Sequence, residues 1–180
     1  MADERTSNAT RFERVVLPYL DDAYTLARYL TRNATDADDV VQEAVLRALR
    51  YVHTLRSESE ARAWLLAIVR RECYSQRDAR AARDSVPYDE APPLRLVDVA
   101  DTPEHATQRQ MVAERVRAAI NALADHLREA LILREVQHCS YEEIAMITAV
   151  PIGTVMSRLA RARAAVADRL RGVLDVGDLA

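Results

Sequence analysis

The chain of 180 residues contains no lysine: all 25 of its cationic residues are arginine. The planar guanidinium fork suits phosphates and base edges, but an Ala- and Arg-rich composition yields the same bias, so this absence alone names no partner. Glycine is nearly missing as well, with Gly153, Gly172 and Gly177 the only three. A Gly-rich phosphate loop or dinucleotide fingerprint is therefore excluded from the first 152 residues. Two cysteines, Cys73 and Cys139, lie far apart with no CxxC spacing, which suits a reduced protein rather than a disulfide scaffold. No apolar run approaches the ~20 residues of a membrane-spanning helix. The opening Met1-Ala-Asp-Glu-Arg-Thr6 has no apolar stretch of the signal-peptide kind. A cytoplasmic protein without membrane insertion is expected.

Catalytic groupings are missing too. Nucleophilic or hydrolytic chemistry needs converging Ser or Cys, His and carboxylate groups, yet His53, His105, His126 and His138 are scattered. His138-Cys139, even joined by His126 or Cys73, shows no zinc spacing. No enzyme, metal or cofactor is expected.

What is present is helix-forming. Hydrophobic residues make up 49% of the chain, enough to bury a core. Ala, Leu and Arg dominate and alternating β-branched runs are absent, so the expected fold is all-α. Residues 10–32 read as two helices broken near Pro18 and the Asp21-Asp22 pair. Residues 36–52 read as a third, capped by Asp36, with Val41, Ala44, Val45, Ala48 and Val52 on its apolar face. Its opposite face carries Asp39, Gln42, Glu43 and Arg50. After the polar stretch His53 to Glu60, a fourth helix is expected from Ala61 to Arg83, with Trp64, Leu65, Ile68 and Val69 as its stripe. This helix is basic, with six arginines over residues 62–83 against Glu72 and Asp78, and Trp64 and Tyr74 stand among them. Aromatics beside arginine are what single-stranded bases stack on, although Trp64 alone is more often core than platform.

Composition changes at residues 84–108. This span holds Pro87, Pro92, Pro93 and Pro103, and six acids against one Arg95, which reads as an acidic extended tether. Helical pattern resumes from Gln108. Three units follow: a first helical domain over 1–83, a flexible acidic linker over 84–108, and a second helical domain over 109–180.

The second domain carries the sharpest local signal. Ser140-Tyr-Glu-Glu143 is a capping box opening a short helix, Tyr141 to Thr148. A turn through Pro151 leads to a longer helix, and the pair reads as a helix-turn-helix. Val155, Leu159, Ala162 and Val166 share the inner face of that second helix. Ser157, Ala160, Arg161 and Ala164 point outward, flanked by Met156, Arg158 and Arg163. Small residues let a helix backbone sit deep in a major groove while Arg reaches guanine edges or phosphates. The first-turn amides of Gly153 and Thr154 are candidates to hold a phosphate. A helical hairpin with a merely solvated Arg face is the plainer alternative.

Three segments together resemble the extracytoplasmic-function (group IV) sigma factors of the sigma-70 family. Asp36-Ala-Asp-Asp-Val-Val-Gln-Glu-Ala-Val-Leu-Arg-Ala-Leu-Arg50 is similar to that family's core-binding helix. Ala61-Arg-Ala-Trp-Leu-Leu-Ala-Ile-Val-Arg70 is similar to its −10 element helix. Ser140-Tyr-Glu-Glu-Ile-Ala145 and Pro151-Ile-Gly-Thr-Val-Met-Ser-Arg-Leu-Ala-Arg-Ala-Arg163 are similar to its −35 helix-turn-helix. The resemblance implies a four-helix region 2 domain and a region 4 domain. It implies that Asp39, Gln42, Glu43 and Leu46 dock on the clamp helices of the largest RNA polymerase subunit. It further implies that the loop His53 to Glu60 pockets a flipped −10 base, and that Arg62, Trp64, Arg70, Arg71, Tyr74, Arg77 and Arg80 serve −10 DNA. Gly153, Thr154, Met156, Ser157, Arg158, Arg161 and Arg163 would serve the −35 duplex, with the flap of the second-largest subunit beside them. Core polymerase, promoter DNA and an anti-sigma factor are the implied partners. Many members carry Asn at the place of Arg71, and Lys or Arg at that of Met156, so promoter preference does not carry over. The competing reading is a stand-alone helix-turn-helix regulator, which leaves the basic-aromatic helix and the acidic tether unused.

Overall fold

A computed structural model describes residues 2–82 and 103–177, with side chains over 8–82 and 110–171. Every regular element among the described residues is helical. Helix α1 (Ala2–Val15) ends where Pro18 enters the 3-10 turn Leu17–Tyr19, because proline has no N–H to continue an α-helical ladder. Helix α2 (Leu20–Thr31) follows at once; Asp21 and Asp22 sit in its first turn, on the favourable side of the helix dipole, rather than marking the break itself. It closes on Arg32 in the left-handed region (φ 58°), whose N–H donates to the Arg28 carbonyl at 3.0 Å.

Helix α3 (Ala34–Tyr51) is capped by Asn33, not Asp36: Asn33 Oδ1 accepts from the Asp36 amide at 3.0 Å. Both residues are competent caps, and the chain takes the one three residues earlier. Its buried line is Ala37, Val40, Ala44 and Ala48, with Val41 and Val45 half-buried beside it. Helix α4 (Ala61–Ala81) buries Leu65, Leu66 and Val69 against α2 and α3, and Trp64 and Ile68 pack at the edge of that core. The many alanines at these contacts bring the helix axes close, since axial distance follows side-chain size.

The expected tether lies mostly outside the described residues. Its last six residues, 103–108, belong to helix α5 (Pro103–Asn121), which starts with a proline at the position where a missing N–H costs nothing. Helix α6 (Asp125–Leu131) runs into a π-helical turn, Ile132–Val136, closed by Gln137 N–H donating to the Ile132 carbonyl at 3.0 Å. Helices α7 (Tyr141–Thr148) and α8 (Ile152–Gly177) complete this half. Ile120, Leu123, Ala130, Ile132, Leu133, Ile144, Ile147, Val155, Leu159 and Ala162 are buried among them. These side chains and those of α1–α4 form one continuous apolar cluster, with α4 lying against α7.

Candidate nucleic-acid interface

The helix-turn-helix is built from its caps. Ser140 Oγ accepts from the Glu143 amide at 3.1 Å, and Glu143 Oε2 accepts from the Ser140 amide at 2.6 Å, completing the capping box. Ala149 ends α7 in the left-handed region (φ 55°), a conformation costing a non-glycine residue about 1–2 kcal/mol, which the surrounding packing must hold. The chain then bends by 102° between α7 and α8, inside the range of helix-turn-helix pairs. Val155, Leu159 and Ala162 are fully buried and fix the roll of α8. That roll leaves Ser157, Ala160, Arg161 and Ala164 exposed, with Met156 50% exposed beside them and Arg158 half-buried.

Three details refine that face. Arg163 donates through Nε and Nη2 to Glu135 Oε1 at 3.1 and 2.7 Å, and this hydrogen bond raises its pKa, so it is tied to the π-turn. Arg161 stays along its own helix, Nε donating to the Ser157 carbonyl at 3.3 Å. The Thr154 amide already donates to the Pro151 carbonyl at 2.8 Å, so the expected pair of phosphate-holding amides loses Thr154. Gly153 faces open space: a Cβ added there meets nothing within 4 Å.

Helix α4 carries the second basic surface, and its arginines are engaged. Arg62 Nε donates to Asp22 Oδ2 at 2.6 Å, and its Nη2 to the Gln137 carbonyl and Oε1 at 2.5 and 3.0 Å. Its Nη1 lies 3.5 Å from Cys139 Sγ. Burial opposes this charge, but the hydrogen bonds to Asp22 and Cys139 outweigh it and the Arg62 pKa is raised. Arg70 Nε donates to Glu129 Oε1 at 2.6 Å, where the carboxylate side chain is only 1% exposed. Arg77 pairs with Asp125, and Arg80 forks onto both oxygens of Asp36. Tyr74 lies between two guanidinium groups, Arg70 at 4.8 Å and Arg77 at 4.6 Å from its ring centre, a cation–π arrangement. Burial pushes its hydroxyl up to about 12. Arg71 is exposed on the same helix.

The third surface is the outer side of α3. Asp39, Gln42 and Leu46 are exposed, Leu46 by 49%, and Glu43 is half-buried. Leu49, also exposed, extends this apolar and acidic face. The stretch His53 to Glu60 forms 3-10 turns at Val52–Thr54 and Glu58–Glu60. Buried Leu55 anchors it, its carbonyl accepting from Arg11 Nη2 at 2.8 Å, and Arg14 pairs with Glu58.

Pattern reading did not find Asp22, Asp125, Glu129 and Gln137, the groups that hold the α4 arginines. They lie 40 to 75 residues away from those arginines, beyond the reach of helical spacing. Cys139 Sγ faces Arg62 across the two halves, and among the described residues no three His, Cys, Asp or Glu side chains are grouped to hold a metal. No single helix among the described residues is long and apolar enough to cross a membrane.

Comparison with known proteins fits both halves. Residues 15–83 match the family model described as sigma-70 region 2, and residues 113–166 the one described as sigma-70, region 4. The chain is 34% identical over 158 residues to the ECF RNA polymerase sigma-E factor of Haemophilus influenzae, covering 83% of this chain and 81% of that one. It is also 34% identical over 170 residues to the RNA polymerase sigma-H factor of Pseudomonas aeruginosa, covering 91% and 88%. Among solved structures, the sigma factor RpoE of Bartonella quintana, in complex with the anti-sigma factor NepR, superposes with a TM-score of 0.73 at 27% identity, covering 89% of this chain and 96% of that one. The chain belongs to the extracytoplasmic-function sigma factors of the sigma-70 family, the subunits that direct RNA polymerase to promoters.

Proposed function

We propose that the two halves divide promoter recognition between them, residues 1–83 serving core polymerase and the −10 strand and residues 109–180 the −35 duplex. The observation that carries this reading is the outward face of α8, where Met156, Ser157 and Arg161 stand exposed around a helix held by buried Val155, Leu159 and Ala162. Such a face fits a major groove, with Arg161 and Arg158 placed for base edges or phosphates and Met156 for an apolar contact such as a thymine methyl. Gly153 is the point of closest backbone approach. On α4, Arg62, Arg70, Arg71, Arg77 and Arg80 serve the melted −10 strand, with Trp64 and Tyr74 among them. Capturing a flipped base costs a few kcal/mol of unstacking, offset by stacking and phosphate contacts. Asp39, Gln42, Glu43 and Leu46 dock on the clamp helices of polymerase.

The reading makes this a non-enzymatic initiation factor acting in the cytoplasm without a cofactor. An anti-sigma factor belongs among its partners by analogy with the NepR-bound relative. The stand-alone regulator reading gives no role to the α4 arginines or the α3 face. Core polymerase with this subunit added should make promoter thymines at −10 reactive to permanganate, while the free chain should bind duplex promoter weakly. Tight duplex binding by the free chain, with no permanganate signal from the holoenzyme on any genomic promoter, would return the reading to a regulator.

A further inference from the structure

From Val150 to Ser157, the turn and the first turns of α8 hold no charged residue. In a helix-turn-helix these are the positions that meet base edges. Bidentate readout of guanine by arginine is therefore excluded there and falls to Arg158 and Arg161, farther along the helix. Ser157 Oγ spends its proton on the Thr154 carbonyl at 3.0 Å, which leaves it only lone pairs to offer outward. What does stand outward is apolar. Ile152 is 39% and Met156 50% exposed, one turn apart and so on the same side of α8. They form one edge of the outward face and Arg158 and Arg161 the other, with Gly153, Ser157 and Ala160 as a low floor between. Buried Val155 and Leu159 fix this roll, so the apolar edge cannot turn inward.

An apolar side chain on a recognition helix has one specific target. Among the groups that bases present in the major groove, the C5-methyl of thymine is apolar, whereas the others are hydrogen-bond donors and acceptors. The unbranched thioether of Met156 adapts to so small a group, and β-branched Ile152 gives it a stiff neighbour. The cationic edge opposite supplies phosphate contacts that hold the helix in register. We propose that the −35 element of this subunit presents thymine to the first turns of α8, its C5-methyl groups lying against Ile152 and Met156. The inference rests on the assignment of α8 to the −35 duplex and gives that site a sequence preference: thymine at the apolar edge, guanine or bare phosphate at Arg158 and Arg161.

The test uses holoenzyme and a promoter whose −10 thymines it makes reactive to permanganate. Each −35 thymine is replaced in turn by deoxyuridine, which keeps the O4 acceptor and the base pair and removes the methyl group alone. At one or two neighbouring positions the change should weaken binding about fourfold, the worth of one buried methyl group. Met156→Ala should bind the thymine and uracil duplexes equally at such a position, and Met156→Leu should restore the difference. Met156 is half-exposed, so these variants are expected to fold; Ile152→Ala supplies the same comparison on the neighbouring side chain. Uniform affinity across the uracil series, on a promoter that still opens at −10, overturns this inference and leaves the promoter reading standing. A Met156→Ala variant that weakens thymine and uracil duplexes by the same factor also overturns it, and makes the apolar edge a contact with polymerase. Absence of permanganate reactivity on every genomic promoter overturns the promoter reading, and this inference with it.

Discussion

Gly153 shows how a single residue separates fold from function. Its backbone is not in the left-handed region, and a methyl group there would touch nothing within 4 Å. The fold therefore has no need of glycine, which ordinarily costs a helix turn some stability. Gly153→Ala should leave the melting temperature unchanged or raise it, with a gain of about 0.4–1 kcal/mol from a less flexible unfolded chain. If the −35 backbone comes close at this point, the same variant should lose promoter affinity in holoenzyme titrations. Equal affinity would remove Gly153 from the DNA surface. The absence of lysine also has a consequence at this scale, because it leaves the alkaline range to cysteine and tyrosine. Burial raises Cys73 to about 12 from 9.0 and Tyr74 to about 12 from 10.0. The folded chain keeps these protons after the unfolded chain has lost them, so stability is intact below about pH 9 and is lost from there toward pH 12. Melting temperature should be flat from pH 7 to 9 and fall above it, by an amount that Cys73→Ala reduces at the lower end. A curve flat to pH 12 would contradict the burial of both groups.

At the scale of the element, α3 presents two faces with separate work. Ala37, Val40, Ala44 and Ala48 bind it to α2 and α4, whereas Asp39 is exposed and Glu43 half-buried on its outer side. Reversing both charges, Asp39→Arg with Glu43→Arg, should change stability little, since exposed Asp39 and half-buried Glu43 both stand at the surface, where a charge is worth at most about 1 kcal/mol. It should nonetheless abolish capture of the chain by core polymerase in a pull-down, and retained capture would remove this face from the docking surface. The helices themselves were readable because their causes are local. Periodicity set α3 and α8, Pro18 broke α1 from α2, and the Ser140 capping box placed the start of α7 at Tyr141. Where two local signals competed, the outcome was not readable: Asn33 and Asp36 are both good caps, and Asn33 is the one whose side chain takes the free amide. The π-turn at Ile132–Val136 had no signal at all, for its composition continues α6 and only the demand on Gln137 and Cys139 distinguishes it. The site divides in the same way. The outward face of α8 followed from its inner one, while the groups on Arg62, Arg70 and Arg77 are set by tertiary approach.

Across the whole molecule, near-neutrality conceals an ordered separation of charge. Residues 1–83 hold fourteen arginines against thirteen acids, the segment 84–108 one against six, and residues 109–180 ten against nine. Each half concentrates its cations on one helix, α4 or α8, and the net charge of −3 says nothing of either face. More than charge joins these halves. Arg77–Asp125 is half-exposed and contributes little alone, but Arg70–Glu129 is largely buried and the apolar cluster runs without interruption from α1 to α8. Parting the halves would rehydrate both Glu129 and Arg70, which offsets the lost ion pair, so the cost of separation lies chiefly in the apolar cluster it would expose. Cooperative unfolding should follow from that continuity. Trp64 is the only tryptophan and packs at the edge of the first half's core, so its emission follows that half alone, whereas far-ultraviolet circular dichroism follows every helix. The two melting curves should coincide for the free wild-type chain. In Asp125→Asn/Glu129→Gln they should separate, with part of the helical signal lost at a temperature where Trp64 emission is still native or already changed. Two separate transitions in the wild type would mean that the shared core does not couple the halves, and the interface would then be held by its ion pairs alone.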